Sequence, residues 1–167
     1  MENVSPYVVL GALRNKTDKV ILVNVLSDKM PYLINSSDAV NNMNFTKQQF
    51  EEYLTQHSNS LKDVSLVILY CASWSCGAAH NYYVELQSRK LYMPKIYDYK
   101  GALHEWAMYS IIFPNKYNLL NFKTNQKATI DELIQFALDT KHTYFLKDEK
   151  NAKLDILKEL SISGTKS

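Results

Sequence analysis

The chain has 167 residues and only two cysteines, long enough to bury a core unaided and too poor in cysteine for a disulfide framework. Its net charge of +2, with lysines spread along the sequence, leaves no electrostatic footprint for nucleic acid, and the basic residues from Lys147 to Lys158 alternate with acidic ones as on a solvated helix face. Acidic Glu2 and early polar residues stand where a leader needs a basic flank and an apolar run, and no segment approaches the ~18 apolar residues of a membrane span, so the expectation is a cytoplasmic protein with no membrane segment.

In chain order, Ser5 caps a short helix with Pro6 at its first position. Val20 to Leu26 reads as the first central strand. Phe45-Thr46-x-x-Gln49-Phe50 holds a capping box with flanking aromatics, which predicts a helix from Lys47 to about Gln56. His57 to Lys62 is a loop, and Leu66 to Tyr70 is a fully buried strand. The next helix starts after Gly77 and ends near Arg89 and Lys90, where cations suit the C-terminal dipole. Lys95 to Tyr99 is a strand, and Ala102 to about Ile112 a helix stopped by Pro114. Strands alternating with helices predict an α/β fold of three layers, a central, mostly parallel sheet flanked by helices. Beyond Pro114 the composition turns polar, so the expected division is a domain over 1–114 and a helical extension over 115–167 packed on or beside it. There Thr129-x-x-Glu132 starts one helix with an apolar stripe from Ile130 to Leu138, a second spans about Asp148 to Leu160, and Ser161 to Ser167 is a tail.

The stretch from Leu66 to His80 carries the chemistry. A buried strand delivers Cys71 into a tight turn, Ala72-Ser73-Trp74-Ser75-Cys76-Gly77, and a helix follows with its positive end aimed at the same spot. Such a position favours a thiolate or persulfide anion, since a helix N-terminus can lower a cysteine pKa from about 8.5 to roughly 3.5–7.5. A buried, inert cysteine closing a strand fits the local sequence equally well.

The order of segments distinguishes the two. Ser5-Pro6, then the strand Ile21-Leu22-Val23-Asn24-Val25-Leu26, then the Cys71 strand and loop, then Lys95-Ile96-Tyr97-Asp98-Tyr99-Lys100-Gly101-Ala102-Leu103-His104-Glu105-Trp106 follow a shared pattern. From about Ser5 to Phe113 the chain resembles the rhodanese-like family, whose elements are a Ser/Thr-Pro start, a Leu-Ile-Asp-Val-Arg strand, a nucleophilic cysteine and a Gly-Gly-x-x-x-Trp segment. The resemblance implies a rhodanese-like fold and a sulfurtransferase. Cys71 is the implied nucleophile, residues 72–77 the substrate and anion-binding loop, and no cofactor or metal is needed. The implied partners are a small-molecule or protein sulfur donor and a thiol or cyanide acceptor. Asn24 and Leu26 stand where the family carries its acidic and arginine residues, and Ala72 and Cys76 where its loop often carries arginines. The anchor for thiosulfate is therefore weaker, while an uncharged or protein-bound persulfide donor loses little. These departures also suit a non-catalytic protein-binding module. Gly77 stands where a phosphatase loop needs arginine, which disfavours phosphate chemistry.

Cys76 is either a resolving thiol for a Cys71 persulfide, as in a thiol redox protein, or a small residue pointing into the core, and the second is the expectation. Trp74 either lines a mouth over the sulfur or fastens the loop to the body. Cys71, Cys76 and His80 fall one short of the four ligands a structural zinc site uses. His104 and Trp106 are read as helix-packing residues.

Overall fold

In the computed structural model, which describes residues 1–74 and 76–137, side-chain alternation along the central strands divides the core between the two faces of one sheet. In β2 (Val20–Asn24), Val20 and Leu22 join one cluster and Ile21 and Val23 the other. In β5 (Leu66–Tyr70), Ile68 and Tyr70 join the first cluster, and Val67 and Leu69 the second. These strands read as continuous apolar runs because both of their faces are covered. With β1 (Glu2–Asn3), β4 (Asn44–Thr46) and β6 (Lys95–Tyr99) they form a sheet in the order β1-β6-β5-β2-β4, every pairing parallel.

Helices α1 (Pro6–Arg14) and α4 (Ala102–Ile112) cover the first face, and α2 (Lys47–Gln56) and α3 (Ala78–Ser88) the second, giving three α/β layers. The starts of these helices follow their caps. Ser5 Oγ accepts from the Val8 N–H at 3.4 Å, with Pro6 in the first turn. The capping box of α2 is complete: Gln49 N–H donates to Thr46 Oγ1 at 3.1 Å and Thr46 N–H to Gln49 Oε1 at 2.9 Å. Phe45 lies against Tyr53, and fully buried Phe50 against Tyr82, the latter burial stabilising α2 by roughly 1.5–3 kcal/mol.

One boundary differs from the sequence expectation. Regular β2 stops at Asn24, because the Asn24 carboxamide accepts from Leu26 N–H at 2.9 Å and donates to the carbonyls of Met30 at 3.1 Å and Tyr32 at 2.7 Å, turning the chain away. Helix α3 ends at Ser88, beside the expected Arg89, which reaches sideways to Glu51 and Glu85, both at 2.7 Å.

Beyond Pro114 the chain returns to the core. β7 (Tyr117–Asn121) pairs antiparallel with β3 (Tyr32–Ser36) and β8 (Gln126–Lys127), forming a second sheet of order β3-β7-β8. Trp106 of α4 donates its indole N–H to the carbonyls of Asn35 at 3.0 Å and Asn118 at 2.9 Å, tying both strands to the helix. The Thr129 and Glu132 box starts α5 (Ile130–Ala137), and His104 Nδ1 lies 2.9 Å from the Phe136 carbonyl. Residues on both sides of Pro114 therefore share one core. Leu138, the helix expected over Asp148 to Leu160, the tail and Ser75 lie outside the described residues.

Candidate functional site

Cys71 follows β5 directly, at the carboxyl end of the central strand and on the α2 and α3 side of the sheet. Crevices beyond the carboxyl ends of parallel strands are where ligands gather in open α/β sheets. The Val25 N–H donates to the Tyr70 carbonyl at 3.0 Å, so the residues after β2 lie alongside Cys71. Cys71 is buried, Cys76 less so, and their sulfurs are joined as a disulfide across a Cα separation of 6.3 Å. The expectation that Cys76 merely fills the core is thus corrected. A curled loop, together with a chain separation of only five residues, brings its side chain back onto Cys71.

The loop is closed on itself and clamped from the side. Cys76 N–H donates to the Ser73 carbonyl at 3.0 Å. That amide is thereby committed to the turn. The carbonyls of Cys71 and Ala72 accept from the Leu103 and His104 N–H groups at 3.4 and 2.9 Å, which satisfies the start of α4. To aim those amides at the loop, Ala102 adopts φ 54°, left-handed backbone that costs an L-residue about 1–2 kcal/mol. A glycine at this position would bear no such cost. On the other side Gly77 has no side chain to cap α3, and the positive end of that helix lies next to Cys76.

Trp74 is exposed, Ala72 and Ser73 are half-buried, and Gly77 is exposed. Arg14 pairs with Asp38 and Arg89 with Glu51 and Glu85, so the two arginines of the sequence are engaged away from the loop. A hollow of about 250 Å³ opens beside the first turns of α3, lined by Val25, Leu26, Lys29, Lys47, Ala78 and Asn81 among others. Leu26 gives it an apolar wall, and the lining carries both the cations Lys29 and Lys47 and the carboxylates Asp28 and Glu85. A larger hollow of about 570 Å³ shares Asp28 and Lys47 with it and extends to Phe122 and Lys123. With both sulfurs in the disulfide, the Cys71, Cys76 and His80 arrangement offers a cation no thiolate, and no group of three metal-binding side chains occurs among the described residues.

One residue of the site escaped the sequence reading. Asp98 on β6 is buried, and burial pushes its carboxyl above the usual range against the opposing pull of Lys100 and His80. It shares a sheet face with Ile96, Leu69 and Cys71. The available signal was an acidic residue inside the strand Ile96-Tyr97-Asp98-Tyr99. Tyr70, by contrast, faces the other side, where burial raises its hydroxyl and Asn44 and Ile34 hold it at 3.2 Å.

No family model matches the chain, and no curated protein or solved structure is significantly similar to it. Among the described residues, no helix is long and apolar enough to cross a membrane.

Proposed function

We propose that the chain is a rhodanese-like sulfurtransferase that carries sulfane sulfur on Cys71, with Cys76 as the thiol that discharges it. The observation that carries this reading is the position of Cys71. It ends the central strand of a parallel sheet, and its sulfur meets that of Cys76 across the loop into α3.

In this cycle an external thiol first opens the disulfide, as the reducing cytoplasm expected from the sequence favours. The Cys71 thiolate attacks the outer sulfur of a donor. A new S–S bond forms, the donor's bond to that sulfur breaks, and its electron pair leaves with the donor remnant. An acceptor thiolate or cyanide then takes the outer sulfur and Cys71 departs as thiolate. Without an acceptor, Cys76 thiolate attacks the Cys71 sulfur, hydrosulfide leaves, and the disulfide re-forms. The α3 N-terminus stabilises the anionic stages. The test is thiocyanate formation from cyanide and a persulfide donor under reducing conditions. Cys71→Ser is expected to abolish it, and an equally active Cys71→Ser protein overturns the reading.

The disulfide itself favours a second reading, a thiol redox protein that exchanges the Cys71–Cys76 bond with a partner dithiol. A reduced protein that passes electrons to a protein disulfide and takes no sulfur from any donor supports this reading over the first.

A further inference from the structure

The buried carboxyl of Asp98 has no use in the steps just described. Its relative exposure is 6%, and no hydrogen bond or ion pair reaches it from the described residues. The register places it against Leu69, two residues before Cys71 on the same face, which sets the two Cα atoms about 8 Å apart by strand geometry. That diagonal is within reach of a carboxyl and a cysteine directed to one side.

We propose that Asp98 is the proton donor and acceptor for the Cys71–Cys76 pair. This rests on the reading of Cys71 as the working sulfur. In the reductive step a thiolate of an external dithiol attacks the less buried Cys76 sulfur, the Cys71–Cys76 bond breaks, and its electron pair goes to Cys71. The Asp98 carboxylic acid passes its proton to that sulfur. The second thiol of the reductant, as thiolate, then attacks the mixed disulfide. It releases Cys76 as thiolate and leaves the reductant as a disulfide, while solvent reprotonates Cys76 and Asp98 stays ionised. When Cys71 next attacks a donor, the Asp98 carboxylate takes the thiol proton back. Burial, the larger effect, pushes the Asp98 carboxyl up, while the groups that draw it down are Lys100 after β6 and His80 of α3.

The test follows reduction by dithiothreitol and alkylation of the reduced protein by iodoacetamide across pH 5 to 9, in wild type, Asp98→Asn and Asp98→Glu. Asp98→Asn should slow reduction at pH 7 about tenfold after correction for reductant thiolate. It should also shift the alkylation profile of Cys71 to lower pH, because a neighbouring negative charge is gone, and Asp98→Glu should restore much of the reduction rate. Profiles of Asp98→Asn that superimpose on wild type overturn the proposal. In wild type alone, the carbon-13 titration of the Asp98 carboxyl should differ between the disulfide and dithiol forms, and identical curves overturn it even if the variants do not fold. Neither readout uses a sulfur donor, so a protein that no donor loads fails the functional reading and leaves this result to stand or fall separately.

Discussion

The side-chain amide of Asn24 donates to the Tyr32 carbonyl at 2.7 Å and to the Met30 carbonyl at 3.1 Å, so this one residue fastens the parallel sheet to the start of the second one. A carboxylate there would lose both donors and face two carbonyl oxygens. Asn24→Asp is expected to lower unfolding free energy by about 2–4 kcal/mol in urea titrations at pH 7, most of it from the unsatisfied buried groups. A change below ~1 kcal/mol would show that the turn finds other partners.

Trp106 plays the corresponding part from α4, with one N–H shared by the carbonyls of Asn35 and Asn118. Trp106→Phe keeps a ring and removes that donor, so a loss of about 2–3 kcal/mol is expected, from the orphaned carbonyls and the volume not refilled. Hydrogen exchange should report it first in β3 and β7. Unchanged protection of those strands would contradict the tie.

Which parts of this were legible follows from range along the chain. Helix α2 and strand β6 have the bounds read from the sequence, because a capping box and a run bounded by Pro94 and Gly101 are local signals. Strands β3 and β7 were not read. Tyr-Leu-Ile-Asn-Ser and Tyr-Asn-Leu-Leu-Asn are short, mixed in polarity, and become strands by pairing across more than eighty residues of chain, which no window detects. At the site, the approach of Cys71 and Cys76 was legible as permissible spacing, whereas their bond depends on loop closure. Asp98 was passed over because acidic residues in strands usually face solvent.

Ala102 allows two effects to be weighed. Replacement by glycine removes a left-handed penalty of about 1–2 kcal/mol but exposes about 0.8 kcal/mol of lost methyl burial and roughly 0.5–1 kcal/mol of added chain entropy in the unfolded state. The terms nearly cancel, so Ala102→Gly should lie within about 1 kcal/mol of wild type by urea unfolding. A loss above ~2 kcal/mol would mean that the methyl packs more tightly than burial alone implies.

The Glu51 carboxylate is held below its usual range, chiefly by the Arg89 guanidinium and also by the Tyr82 hydroxyl at 2.6 Å, while burial opposes. A depressed carboxylate contributes stability that is present above its unfolded pKa of about 4.3 and is lost as pH falls through the folded value. Asp98 has the opposite sign. Its raised carboxyl favours the protonated form in the fold, so its contribution is full below the unfolded pKa and is lost as pH rises through the folded value. Glu51→Gln should therefore lower the thermal midpoint at pH 7 and narrow the gap to wild type at pH 3, whereas Asp98→Asn should raise the midpoint at pH 7 with no gain at pH 3. Matching pH trends for the two variants would contradict the assignment.

Leu26 lines the hollow beside the first turns of α3, and both arginines of the sequence are engaged elsewhere, so thiosulfate there meets no guanidinium. Loading of Cys71 by thiosulfate should be slow, loading by a persulfide donor faster, and Leu26→Arg should raise the thiosulfate rate about tenfold, the worth of one charge-assisted hydrogen bond. Efficient thiosulfate turnover by wild type would show that the backbone and lysines suffice.

The most direct measurement is the intact mass of reduced Cys76→Ser protein after exposure to a persulfide donor and removal of excess reagent. With the discharging thiol gone, Cys71 should retain one added sulfur that cyanide removes, and Cys71→Ser should gain none. A Cys76→Ser protein that stays at its unmodified mass with every sulfane donor, or a Cys71→Ser protein that gains the sulfur, contradicts the account.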